Sequence, residues 1–161
     1  MKLSQKLIDK INEQINFEQA SAYLYLSMVY ELESRSLEGF GRWMRAQHHE
    51  ELEHAAKMAS YLLQRGVRPL QKAIPDVPNK WGTVPEIFEA ALEHEKEVTK
   101  RIEAIVKLAI AEKDYNAEDF FREFVAEQVE EESNFNAIVD RLALSGGHGL
   151  LIMDHQLGKR Q

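Results

Sequence analysis

Gln47-His48-His49-Glu50-Glu51-Leu52-Glu53-His54 lies in the middle of a long helical pattern, and its reading decides the fold. Within it, Glu51-x-x-His54 places an acid and an imidazole one helical turn apart on one face. The stripe they continue runs Phe40, Trp43, Gln47, Glu51, His54, Met58, Tyr61 and is otherwise mostly apolar. A carboxylate facing a core costs several kcal/mol unless a cation or hydrogen-bond donors compensate it. Whatever compensates Glu51 must come from other segments.

Working outward, the preceding segment opens near Ser4, an N-cap residue, and carries Leu7, Ile11, Ile15, Glu18, Ala22, Tyr25, Val29 and Leu32. Steps alternating between three and four are those of an amphipathic helix facing a bundle seam. Gly39 and Gly41, after Ser34-Arg35-Ser36, read as the break before the second helix, which Gly66 closes. From Gly66 to Gly82 the helical period vanishes and Pro69, Pro75 and Pro78 appear. So long a connection suits a crossover along the full height of a bundle, making the second and third helices parallel. Thr83-Val84-Pro85-Glu86 is a capping box that opens the third helix, which continues through Phe88, Ala91, Glu95, Val98, Ile102, Ile105 and Ala109. After a turn at Asp114-Tyr115-Asn116, with Asn116 as the expected cap, the fourth helix carries Phe121, Phe124, Gln128, Glu131, Phe135, Ile138 and Leu142. The expectation is an all-α four-helix bundle with one long crossover and a short C-terminal fifth helix, forming one domain over residues 1–161. The helices are expected at about 4–34, 38–65, 84–113, 117–145 and 148–157.

Each of the four stripes is interrupted by one acid: Glu18, Glu51, Glu95 and Glu131. Counted from the expected helix starts, the offsets of roughly 14, 13, 11 and 14 residues put all four about 17–21 Å along their helices. Near the midpoint of every helix, they meet at one level whichever way each helix runs. A lone Glu on a core stripe is ordinarily a boundary residue whose head reaches water, and Tyr25 or Gln47 could each hydrogen-bond one such acid. Four coincident acids repel one another and raise each other's pKa. No Lys or Arg lies on the stripes and only His54 is in register, so a metal is the economical compensator. Carboxylates with one imidazole and no thiolate suit Fe, Mn or other hard divalent ions, with zinc also compatible. Four negative charges balance two divalent ions.

The composition agrees with this reading. At 44% hydrophobic and 29% charged, with 8 Gly and 4 Pro, the chain has a globular, helix-rich balance. A net charge of -7 argues against a nucleic-acid coat and favours attraction of cations. With no cysteine, disulfides, zinc fingers and thiolate clusters are excluded. The residues after Met1 run straight into an amphipathic pattern without a signal-peptide h-region, and the longest apolar runs are too short for a bilayer, so a cytoplasmic protein without membrane or nucleic-acid partners is expected.

Glu18 and Tyr25, Glu50-Glu51-x-x-His54, His94-Glu95 and Glu127-Gln128-Val129-Glu130-Glu131 together resemble the bacterial and archaeal non-haem ferritins over essentially the whole chain. The resemblance implies a ferroxidase centre, with one iron on Glu18, Glu51 and His54 and a second on Glu51, Glu95 and Glu131, Gln128 alongside. Glu51 would bridge the two. Tyr25 would hydrogen-bond the site and lend an electron, and Glu50, Glu127 and Glu130 would match the family's third iron position. The resemblance further implies oxidation of Fe(II) by O2 or H2O2, storage of Fe(III) mineral in a hollow cage, and assembly into a 24-subunit homo-oligomer.

Two departures narrow the group. Haem-binding bacterioferritins place a methionine beside the bridging Glu, where this chain has Leu52, so no haem is expected. Bacterioferritins and rubrerythrins repeat Glu-x-x-His on the fourth helix, whereas this chain has Gln128-x-x-Glu131. Oxygen donors in place of that imidazole should loosen the second iron and favour its departure toward a mineral. A dinuclear oxidoreductase that keeps its metals, a DNA-protecting mini-ferritin and a purely structural helical assembly are the rival readings. The missing second Glu-x-x-His, the presence of every ligand on one chain, and the four aligned acids count against them in turn. The histidines His48, His49, His94, His148 and His155 are expected to serve surface or packing roles.

Overall fold

The computed structural model describes residues 2–160; Met1 and Gln161, the bounds of the expected domain, lie outside the described residues. Helices α1 (Gln5–Ser34), α2 (Glu38–Gln64), α3 (Val84–Ala111) and α4 (Tyr115–Ser145) are followed by a single 3-10 turn, Gly147–Gly149, and α5 (Leu150–Leu157). The architecture is all-α, as expected. No described helix is long and apolar enough to cross a membrane.

Two apolar clusters show how the helices run. One contains Leu7, Ile11 and Ile15 of α1, Ala55, Met58 and Leu62 of α2, Val98, Ile102 and Ile105 of α3, and Phe121 and Phe124 of α4. The other contains Tyr25, Met28 and Leu32 of α1, Phe40, Trp43 and Met44 of α2, Ile87, Phe88 and Ala91 of α3, and Phe135, Ile138 and Leu142 of α4. Moving along the chain, α1 and α4 pass from the first cluster to the second, whereas α2 and α3 pass from the second to the first. The second and third helices are therefore parallel, which requires the long connection. Between the clusters, every helix contributes its acid.

The crossover is held against α1 by side chains that replace the ladder it lacks. Leu70 N–H donates to Asn12 Oδ1 and Lys72 N–H to Asn16 Oδ1, both at 2.7 Å. Farther along, the Trp81 indole N–H reaches Ser27 Oγ at 3.3 Å, and Arg35 donates to the Trp81 carbonyl at 2.7 Å. The capping box is present: Thr83 Oγ1 accepts from Glu86 N–H, and the Glu86 carboxylate accepts from Thr83 N–H at 2.6 Å. These donors hold the Glu86 carboxyl below its ordinary pKa.

Two local expectations are corrected. The α4 helix begins at Tyr115 rather than Ala117, because Asp114 is the cap, its Oδ1 accepting from Ala117 N–H at 3.0 Å. Asn116 is already helical, and Arg65 clamps the Asp114 carboxylate at 2.8 Å, lowering its pKa. Gly39 and Gly41 do not break the chain; both are buried inside α2. The break is made by Ser36 in the left-handed region, at φ 59°. The two glycines instead permit close approach. A Cβ at Gly39 would overlap the Asp154 carbonyl of α5, and one at Gly41 would meet the Glu33 side chain at 2.8 Å. Gly39→Ala is expected to cost about 1–3 kcal/mol through this overpacking and to loosen α5. Thermal denaturation with limited proteolysis checks it: a lower Tm and new cleavage after Ser145 are expected.

Candidate metal centre

Glu18 is held at the middle of α1 between Ile15 and Ala22, both fully packed, and is itself only 1% exposed. Glu51 occupies the same situation on α2 at 1%, Glu95 on α3 at 0%, and Gln128 on α4 at 4%. Glu131, one turn beyond Gln128, is half-buried. The register expected from the sequence places these acids in one polar layer between the two apolar clusters.

The tightest group in that layer is Glu18, Glu51 and His54, whose ligand atoms all lie within 4.8 Å of one another. It is the one group of three or more His, Asp or Glu side chains with such spacing among the described residues. His54 Nδ1 lies 3.4 Å from Glu51 Oε2, while its Nε2 faces Glu127 Oε2 at 3.2 Å without hydrogen-bond geometry.

The remaining acids are turned toward neutral donors. The Tyr25 hydroxyl donates to Glu95 Oε1, and the Gln128 amide donates to Glu95 Oε2 at 3.0 Å. The Gln47 amide donates to Glu131 Oε2 at 2.8 Å, and that of Gln14 to Glu18 Oε1 at 2.7 Å. Tyr25 and Gln47 thus take the hydrogen-bonding roles open to them in the sequence. Gln14 was not anticipated, although its position one turn before Glu18 was a usable signal. Thr99 is another addition, its hydroxyl donating to Glu132 at 2.6 Å and lying 3.3 Å from the Gln128 amide.

Burial dominates the electrostatics. Desolvation and the neighbouring carboxylates push Glu51 up to about 8 and Glu131 up to about 7. Glu18 and Glu95 are likewise raised, chiefly by burial. After burial, the neighbouring Glu51 carboxylate is the next cause of the rise at Glu18. Burial and the charges of Glu95 and Glu51 also hold the Tyr25 phenol well above its usual range, keeping it protonated as a donor to Glu95. Glu18 Oε2 is buried and has no hydrogen-bond partner among the described residues. A layer of mutually raised carboxyls, with an acceptor left unpaired, fits a cation-binding centre better than a finished hydrogen-bond network. Its hard oxygen donors and single imidazole suit ferrous and ferric ions.

The third acidic set is less assembled. Glu127 is taken up behind His54, and Glu130 is exposed. Glu50 pairs with Arg160 at 2.7 Å. The expectation that no Lys or Arg approaches this level is therefore corrected, because Arg160 arrives from beyond α5, outside the four stripes that were compared. His94 takes a packing role: its ring stacks on Phe17 at 5.0 Å, Nε2 lies 2.6 Å from Ser21 Oγ, and burial lowers its pKa to about 4.

The bundle has parallel second and third helices and one layer of acids drawn from all four long helices, and the family model described as a ferritin-like domain matches residues 8–145. The chain belongs to the ferritin family. Its similarity to the bacterial non-heme ferritin of Bacteroides fragilis is 45% identity over 158 residues, covering 98% of this chain and 99% of that one. The corresponding protein of Campylobacter jejuni is 36% identical over 147 residues, covering 91% and 88%. Among crystal structures, a novel open pore ferritin from the hyperthermophilic archaeon Archaeoglobus fulgidus superposes with a TM-score of 0.97 at 44% identity, covering 99% of this chain and 100% of that chain.

Proposed function

We propose that this protein is an iron-storage ferritin with ferroxidase activity, acting in the cytoplasm as a hollow cage of 24 subunits. The observation that carries the reading is the buried carboxylate layer, with Glu18, Glu51 and His54 drawn together and Glu18 Oε2 unpaired. Two ferrous ions are the substrate. Glu18, Glu51 and His54 hold one; Glu51, Glu95 and Glu131 hold the other, with Gln128 beside it. Glu51 serves both. Binding displaces the protons that burial keeps on these carboxyls, leaving fixed negative charge that favours the ferric product. The oxidant is dioxygen or hydrogen peroxide, and each iron gives up one electron.

Tyr25 holds Glu95 in place through its hydroxyl and, in contact with a proposed ligand, is placed to lend an electron. Glu131 places a carboxylate where bacterioferritins and rubrerythrins place the fourth-helix imidazole, so the second iron is held by oxygen donors and leaves after oxidation. Glu50, Glu127 and Glu130 receive iron on its way to the mineral.

Aerobic addition of Fe(II) to the metal-free protein, followed by sizing of the product, tests the storage reading. Many irons per subunit should remain soluble in one large particle. Uptake that stops at two irons in a monomer or dimer would instead indicate an oxidoreductase that keeps its metals.

A further inference from the structure

Arg160 lies beyond α5, yet its guanidinium is brought to the edge of the carboxylate layer. The segment is anchored on the first turn of α2. Asp154 Oδ1 accepts from Phe40 N–H at 2.8 Å, and Arg42 donates to the Gly158 carbonyl at 2.8 Å. Gly158 packs so closely that a Cβ there would sit 3.0 Å from the Gly39 Cα. From this anchor the Arg160 side chain lies over the Trp43 ring, its Cζ 4.4 Å from the centroid, and donates to the Trp43 carbonyl at 3.4 Å. Its Nη2 ends on Glu50 Oε1 at 2.7 Å. The second oxygen, Glu50 Oε2, is buried and has no partner among the described residues. The guanidinium is also close enough to oppose the rise in the Glu131 pKa. It is 21% exposed, so its hold on Glu50 is neither locked away nor fully screened.

We infer that Arg160 is a tethered counter-ion competing with a divalent cation for Glu50, and that iron passing from the dinuclear centre toward the mineral displaces it. The inference rests on the proposed third iron position at Glu50, Glu127 and Glu130. One arm of Glu50 is satisfied by a cation already belonging to the chain and the other is left open, so an arriving ion meets a half-neutralised ligand. Displacement costs an ion pair and a cation–π contact, both modest at a partly exposed site. The ion is thereby held weakly enough to move on. Because the guanidinium covers Trp43, its departure should alter the indole's emission.

The test is a titration of the metal-free assembled protein with Zn(II), which undergoes no redox change. Calorimetry and Trp43 emission are followed together in a Trp81→Phe background. The parent is expected to bind a third equivalent per subunit, weaker than the first two and accompanied by a step in emission. In Arg160→Gln that equivalent should tighten about three- to tenfold, the emission step should vanish, and the first equivalent, on Glu18, Glu51 and His54, should be unchanged. Arg160→Lys retains the charge and should remain within about twofold of the parent, separating loss of charge from local repacking. An unchanged third affinity, or an emission step that survives in Arg160→Gln, overturns the inference. Glu127→Ala/Glu130→Ala tests the underlying site separately by removing the third equivalent. If that equivalent survives the double substitution, or is absent from the parent, the third iron position itself is wrong and the role of Arg160 falls with it.

Discussion

Glu51→Ala is expected to lower the initial rate of ferric absorbance after stopped-flow mixing by at least about a hundredfold. Glu51 is the carboxylate shared by both proposed iron positions: it lies with Glu18 and His54 in the tight group, and its pKa is raised by burial and then by the charges of Glu95 and Glu131. Its removal takes a ligand from each ion at once, leaving two ferrous ions no longer fixed beside a single oxidant. In the proposed cage, slow mineral growth should persist, so the effect belongs to the fast phase and not to final capacity. An unchanged fast phase would remove Glu51 from the centre. Unfolding is separated as a cause by the isosteric Glu51→Gln, which keeps the packing, removes the carboxylate and the charge that works against the metal-free fold at high pH, and should show the same loss.

That destabilising charge underlies the second large effect, a fall in the stability of the metal-free protein with rising pH. Glu51 titrates near 4.5 when unfolded and about 8 when folded. Between these values the native state binds more protons than the unfolded chain, so stability decreases as pH rises through this window and levels off above it. One pKa unit corresponds to about 1.4 kcal/mol, which makes the contribution of Glu51 several kcal/mol. Glu131, raised to about 7, adds in the same direction. Surface ion pairs contribute the opposite trend at acid pH, so the diagnostic quantity is the difference between parent and Glu51→Gln. The variant's advantage in Tm should grow from pH 5 to pH 8. Adding Zn(II) should restore the parent selectively, since an ion bound only by the folded state stabilises it by mass action. A difference independent of pH would mean that Glu51 is not held protonated by its surroundings.

The elements legible in the sequence were those whose signal was periodic. Apolar steps of three and four gave the four long helices, and the interruption of each stripe by one acid gave the level of the site. The proline-bearing stretch between Gly66 and Gly82 gave the crossover and hence the parallel pair. What escaped was set by contacts without a period. Gly39 resembled a helix break, but its lack of a side chain serves the approach of α5, more than a hundred residues away in the chain. Asp114 lost the capping role to Asn116 in the sequence because both residue types cap; Arg65, arriving from α2, helps fix which one does. Arg160 was invisible for the same reason, since its place beside Glu50 depends on how α5 docks.

The site differed from expectation in its detail. Tyr25, Gln128, Gln47 and Gln14 each direct a neutral donor at one of the acids, a more complete set of partners than a bare quartet of carboxylates. These donors do not neutralise the layer, because Glu18, Glu51, Glu95 and Glu131 all remain raised.

The central claim is most directly tested by anomalous diffraction from crystals soaked anaerobically with Fe(II). Two iron peaks are predicted within the bundle, one against Glu18, Glu51 and His54 and the other against Glu51, Glu95 and Glu131, with a Glu51 oxygen on each. A single peak confined to Glu18, Glu51 and His54, or no iron between the helices, would contradict it.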